Sequence, residues 1–325
     1  VTDRFRALVT APVRGAGLDL LHEIADLVID PWIEHTPLRL MNAEQLADRL
    51  RQERADVVIC EADECKGPVL ELGLRAICST RGDPTNVDVA GATTRGIPVL
   101  RAPGRNADAV AEMAIALLFA ANRHVVRADR DVRDGEIYRD GTIPYQRFRA
   151  WELNGRTAGL VGLGAVGRAL QWRLEGLGLR VISYDPYNPA ATHSLDALLD
   201  EADVVSMHAP VTPETTGMMG AKEFGRLRPG SIYLNTARAQ LHDDAALVDA
   251  LQGGPLAAAG LDHFVGEFLA PDHPLATMAN VVLAPHIGGA TYNTEANHTR
   301  IIAEGLAQLM RGERPQCAAN PEVFA

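Results

Sequence analysis

Short apolar runs, many of them β-branched, alternate with segments of helical period almost from end to end, as when strands and helices take turns around parallel sheets. Strands are predicted near 6–10, 55–60, 76–80 and 98–100, with helices such as 17–25 and 43–51 between them. A second series of strands follows at 157–162, 180–185, 203–208, 231–235, 258–262 and 281–284. Asp243 stands where its carboxylate can cap the free N–H groups of the helix that opens after it.

The two series are joined by an apolar-rich stretch, 107–124, that reads as a buried connecting helix. Residues 127–149 carry six arginines, four aspartates and Pro144, and are expected to form an exposed arm outside any sheet. The last helical pattern, 294–311, has no strand of the second series left to join, so it is expected to cross back to the first. The domains expected are therefore residues 1–104 with 291–325, and an inserted 105–290. Internal repeats and low-complexity tracts are not evident.

With 325 residues, 47% of them hydrophobic and 22% charged, the chain has the composition of a globular protein long enough for two domains. A formal net charge of -11 argues against a nucleic-acid partner, which would demand a basic stripe. An anionic ligand must then be met by a local cluster of cations. Cys60, Cys65, Cys78 and Cys317 show neither C-x2-C pairs nor a disulfide framework, so reduced thiols in the cytoplasm and no metal site are expected. No apolar run approaches the roughly 18 residues of a membrane span, and Val1-Thr2-Asp3-Arg4 leads into no signal-peptide core. A soluble protein without a membrane partner is the expectation.

The most specific local signal is Gly162-Leu163-Gly164-Ala165-Val166-Gly167, a G-x-G-x-x-G directly after an apolar strand and at the opening of a helix. Gly162 permits the tight turn, Gly164 lets backbone approach a pyrophosphate, and Gly167 lets helix and strand pack closely. The N–H groups of Ala165 and Val166 would face the diphosphate at the positive end of the helix dipole. Asp185, 18 residues beyond Gly167, ends the next strand at about the spacing where an acid accepts from the adenosine ribose. A carboxylate there repels a 2′-phosphate, which favours NAD over NADP.

Three further segments end predicted strands on what should be the same carboxyl edge: Asn235-Thr236-Ala237-Arg238, Asp262-His263-Phe264-Val265-Gly266-Glu267, and Pro285-His286-Ile287-Gly288-Gly289. A guanidinium can hold a substrate carboxylate by a forked pair of hydrogen bonds. A histidine titrates in the range that proton delivery to a keto oxygen needs, and a neighbouring glutamate both orients the ring and favours its charged form. In this order, beside the glycine motif, the segments resemble the D-isomer-specific 2-hydroxyacid dehydrogenase family of phosphoglycerate dehydrogenase type, and the resemblance runs over nearly the whole chain.

That resemblance implies a Rossmann NAD domain inserted in a flavodoxin-like substrate domain, with the active cleft between them and closure that excludes water. It implies hydride transfer between NAD and C2 of a small D-2-hydroxy or 2-keto acid, with Arg238 binding substrate, Glu267 orienting and charging the histidine, and His286 as general acid and base. His286 and Gly288 would also border the cofactor. Asp262 resembles the acid that holds the nicotinamide amide, Thr236 and Ala237 the backbone beside the ring, and His208-Ala209-Pro210 with Thr215 the loop flanking the adenine. Asn106 resembles a residue near the cleft, and Arg81-Gly82 occupies the loop that meets the substrate carboxylate. A homodimer is expected on the same analogy. Since the chain given ends at Ala325 without a regulatory domain, feedback control by an amino acid is not expected.

The chain departs from the family pattern at several of these points. Ala239 stands for a usual glycine, Phe268 for a usual proline, His263 for a small apolar residue and Arg101 for an asparagine. Glu61-Ala62 stands where phosphoglycerate-type members often carry an arginine, which favours an unphosphorylated acid, although Arg81 or Arg105 could replace that contact. The alternatives left open are D-3-phosphoglycerate dehydrogenase proper, formate dehydrogenase, which pairs its histidine with glutamine, and a non-enzymatic NAD-sensing corepressor.

Overall fold

The computed structural model describes residues 4–325; Val1, Thr2 and Asp3, where the reading of the N-terminus begins, lie outside the described residues. The chain divides into two compact units, one running to Asn106 and resuming with Thr291–Ala325, the other spanning Ala107–Ala290.

The first unit is built on five parallel strands, β1 (Phe5–Val9), β2 (Ala25–Ile29), β3 (Val57–Cys60), β4 (Ala76–Ser79) and β5 (Val99–Leu100), in the order β2-β1-β3-β4-β5. Every residue of β3 and β4 is buried, which is why both read as unbroken apolar runs: a parallel sheet is covered on both faces. This is the flavodoxin-like order, with its switch point between β1 and β3. The helix Ala16–Ile24 packs on Tyr292–Met310 so closely that a Cβ on Gly17 would meet the Arg300 backbone nitrogen at 2.4 Å. The strand β2 is absent from the sequence reading, which ran a helix to residue 25. Helix passes into strand at Ala25 with no glycine or proline between, and a five-residue apolar run carries no periodicity that separates the two states.

The second unit holds six parallel strands: β6 (Thr157–Val161), β7 (Arg180–Tyr184), β8 (Val204–Met207), β9 (Ser231–Asn235), β10 (Leu256–Leu261) and β11 (Val281–Leu283). Their order is β11-β10-β9-β8-β6-β7, so the strand that would lie outside β7 in a 3-2-1-4-5-6 sheet is not formed among the described residues. The switch point, where ligands of such folds bind, falls between β6 and β8. The apolar helix Ala107–Asn122 lies across β9, β10 and β11; Ala258 and Gly260, on the face of β10 that meets it, keep the strand low enough for it, and a Cβ on Gly260 would come within 2.8 Å of Leu117 Cβ. Among the described residues no single helix is long and apolar enough to cross a membrane.

Residues 127–149 join no sheet, but they are more ordered than a polar arm implies. A helix, Val125–Arg133, is followed by a turn of helix at Pro144–Arg147. Both fold around Asp131, which is buried and pairs with Arg147 at 3.1 Å and Arg139 at 3.4 Å.

Candidate active site

Because β6, β8, β9, β10 and β11 are parallel, the loops that follow them leave one edge of the sheet. The glycine loop comes first. Gly162 has φ 101° and a Cβ there would meet His208 and Ala209 backbone at 2.7 Å, while one on Gly167 would meet the Gly162 carbonyl oxygen at 2.2 Å. A Cβ on Gly164 would meet nothing within 4 Å, so the space beside it is open. Gly164 caps the helix Ala165–Gly176 without a side-chain bond, leaving the first-turn N–H groups, those of Ala165 and Val166 included, without that cap.

Asp185 directly follows β7 and is half-buried. Its Oδ2 accepts from Leu163 N at 2.9 Å and its Oδ1 from Tyr187 N at 3.0 Å, so the carboxylate braces the glycine loop it faces. His208 follows β8 with Nε2 on Ser206 Oγ at 2.9 Å and Nδ1 sealed from solvent without a partner. Burial pushes its imidazole down to about 4, so the ring is neutral at physiological pH. Thr215 Oγ1 donates to Pro210 O at 2.6 Å and shapes the loop after Ala209. Thr236 Oγ1 is a second buried polar atom without a partner. Two orphaned buried polar atoms, an open space at Gly164 and a braced acid at Asp185 fit a dinucleotide laid along this edge.

Arg238 follows β9 on a turn that the sequence reading did not explain. Asn235 Oδ1 accepts from Ala237 N at 3.0 Å and Arg238 N at 3.2 Å, and Asn235 Nδ2 donates to Arg238 O at 2.8 Å. The signal was present as an Asx turn: an asparagine at a strand end whose side chain satisfies the backbone just beyond it. The Arg238 guanidinium is exposed, donates to Ala237 O at 2.6 Å and has no carboxylate partner among the described residues.

Glu267 and His286 meet across the ends of β10 and β11, with Oε1 to Nδ1 at 2.8 Å. Both backbones sit in the left-handed region at φ 55°, a conformation that costs a residue with a side chain of order 1 kcal/mol or more and gathers at functional sites. Asp262 ties the same two turns, its Oδ1 accepting from Ile287 N at 2.9 Å and its Oδ2 from Gly288 N at 2.8 Å. A Cβ on Gly288 would meet Asp262 Oδ2 at 2.7 Å, so the tie requires glycine. Burial raises the Asp262 carboxyl above its usual range, the Glu267 charge adding to this while the two N–H donors oppose it.

His263 stands where the family pattern has a small apolar residue. Its ring centroid lies 3.9 Å from that of His286 at 50° between planes. It is 5% exposed, and burial, with the charges of His286 and Arg238, pushes its imidazole down to about 3. Arg238, Glu267, His286 and the cofactor-edge residues all belong to the second unit.

Arg81, Gly82 and Asn106 belong to the first unit. Gly82 O accepts from Arg101 Nη1 at 3.3 Å, and Arg81 has no ion-pair partner among the described residues. Arg105 is not free to meet a phosphate, contrary to the sequence reading. It is held by Glu61 at 2.5 Å and by His298 Nδ1 at 2.8 Å, while His298 Nε2 donates to Pro12 O at 2.7 Å.

Residues 115–288 match the family described as D-isomer specific 2-hydroxyacid dehydrogenase, NAD binding domain. A glyoxylate reductase of Korarchaeum cryptofilum is 35% identical over 98% of this chain and 96% of its own. A D-3-phosphoglycerate dehydrogenase of Archaeoglobus fulgidus is 39% identical over 72% of this chain; the match spans 45% of that relative's length. Among solved structures, a D-isomer specific 2-hydroxyacid dehydrogenase from a Polaromonas species superposes with a TM-score of 0.84 at 28% identity, covering 97% of this chain and 99% of the other.

Proposed function

The chain belongs to the D-isomer specific 2-hydroxyacid dehydrogenase family and is an NAD-dependent oxidoreductase of 2-hydroxy acids; from that premise we propose which residues act and which acids they take. NAD, when bound, supplies or accepts the hydride at C2 of the acid. The protein's part is to hold the acid, deliver a proton and exclude side reactions.

Arg238 holds the substrate carboxylate with its forked donors, which no protein carboxylate occupies. His286 gives its proton to the C2 oxygen during reduction and takes it back during oxidation. Glu267 fixes the imidazole by its bond to Nδ1, so that the other nitrogen is left for the substrate. Asn235 and Asp262 are positioning residues: one shapes the turn that carries Arg238, the other clamps the turn that carries His286. Asp185 accepts from the adenosine ribose, with Gly162, Gly164, Ala165, Val166 and Gly167 beside the diphosphate, and His208, Ala209, Pro210 and Thr215 flanking the adenine. Thr236, Ala237, Asp262 and Gly288 are assigned to the nicotinamide.

The single observation that carries this reading is the Glu267–His286 bond between two turns of left-handed backbone, on the strand edge where the glycine loop also opens. The acid preferred is a small unphosphorylated D-2-hydroxy acid, because Arg105 is already paired with Glu61. Assays of NADH oxidation with glyoxylate, hydroxypyruvate and pyruvate test it: turnover of at least one is expected, and inertness towards all three contradicts the substrate class.

The working form is a homodimer in the cytoplasm. Val125, Val126, Val132, Ile137, Tyr138, Ile143 and Tyr145 are exposed in one sequence segment, more apolar surface than a monomer leaves without reason, and all four cysteines are free. Sedimentation at assay concentration checks the dimer.

A further inference from the structure

His263 is not needed by the family's pattern, yet it is set directly against the catalytic pair. We propose that His263, Glu267 and His286 form a binding site for a divalent transition-metal ion of the zinc class, and that the bound ion inhibits the enzyme.

One ligand atom from each of the three residues lies within 4.8 Å of the other two. The two imidazole rings are in contact, their centroids 3.9 Å apart, so both histidines border the same point in space. Two imidazoles and a carboxylate are the donors zinc takes in sites with three protein ligands, the fourth position being left to water.

The set is also rigid and reachable. Glu267 and His286 are held in left-handed backbone, and Asp262, the neighbour of His263, is bonded to the N–H groups of the two residues after His286. The turn carrying one histidine is thus clamped to the turn carrying the other, and the ion has little ordering to impose. The side chains of His286 and Glu267 are 42% and 60% exposed, so an ion reaches them without opening the core. The nearby guanidinium of Arg238 opposes a cation, which points to a reversible site weaker than a structural zinc.

No metal pattern is legible in the order of residues, because the ligands come from two separate turns rather than a spaced motif. Inhibition, unlike binding, rests on the function proposed above: the ion takes an imidazole lone pair that the transferred proton needs. A family member with a small residue at this position has the acid and base but lacks the third ligand.

The test is calorimetric titration of the full chain with zinc chloride, without NAD or acid, for the native protein and for His263→Ala and His263→Asn. One ion per native chain is expected, with affinity lower by about 100-fold or more in each variant, since even second-shell losses typically cost 10–100-fold. Histidine-ring NMR of the native protein serves if either variant fails to fold: two of the ten histidines should shift on zinc addition. Native protein that takes no zinc below millimolar concentration, equal affinity in a folded variant, or unmoved rings would overturn the site. Zinc should slow keto acid reduction in the native protein more than in the variants; binding without inhibition overturns the inhibitory role. Zinc binding by a chain that reduces no keto acid would leave the metal site standing and refute the proposed function, and the reverse result would refute the metal site alone.

Discussion

Glu267 Oε1 and His286 Nδ1 are 2.8 Å apart although their residues follow different strands and both lie at φ 55°. That bond costs backbone strain and is partly open to solvent, so as a fold-stabilising contact it is worth little. Its value is in aiming the imidazole. Glu267→Gln keeps the shape and removes the anion; turnover in reduction should fall about 10-fold or more. Turnover in Glu267→Gln equal to that of the native protein contradicts the role.

Asp185 is the residue proposed to set the cofactor preference. NADH should be favoured over NADPH, and Asp185→Ala should narrow the preference by about 10-fold, the scale of one hydrogen bond to a charged group. The same carboxylate braces Leu163 and Tyr187, so the variant's KM for NADH should also rise. Equal efficiency with the two cofactors in the native protein contradicts the ribose assignment.

Arg238→Lys keeps the charge but loses the planar pair of donors. Efficiency with the best keto acid should fall by roughly 10- to 100-fold, the cost of one charge-assisted bond. Hydroxypyruvate should be reduced more efficiently than phosphohydroxypyruvate by the native protein, because Arg105 is held by Glu61 and His298. A strong preference for the phosphorylated acid would show that Arg81 or another cation has taken the phosphate, and would favour the phosphoglycerate reading.

The pairing of Arg105 has a consequence for stability. His298 is 1% exposed, and its imidazole is held down from the ordinary value of 6.5 by burial, the Arg105 charge adding to this while its bond to Pro12 O and the Glu61 charge oppose it. A depressed histidine stabilises the fold above its unfolded value, and that stability is lost as pH falls from about 6.5 towards the folded value, because the unfolded chain takes up the proton first. Thermal unfolding temperatures should drop over this window, and less steeply in His298→Gln. A variant with the native slope assigns the loss to other groups.

The two strand series and the glycine loop were legible because each is local: an apolar run, a turn that only glycine fits; Arg238, Glu267 and His286 stood out only through the order of motifs that resembles the family. What escaped was set by distant partners or by ambiguity. The strand β2 follows a helix without punctuation. Asn235 acts through its own backbone, and the Arg105–Glu61–His298 cluster joins residues far apart in the chain. The contact of His263 with His286 could be noticed as a departure but not placed until both turns were seen. The helix Val125–Arg133 was read as an arm because its aspartates and arginines hide the buried pairing at Asp131.

His286, held by Glu267, is proposed to move the proton in keto acid reduction. The most direct measurement is the turnover number of His286→Ala with NADH and the best keto acid, alongside NADH affinity in the absence of acid. Turnover should fall by about 100-fold or more, within the scale of general acid–base catalysis, while NADH affinity stays near native. Turnover within a few-fold of native, with the cofactor still bound, would contradict it.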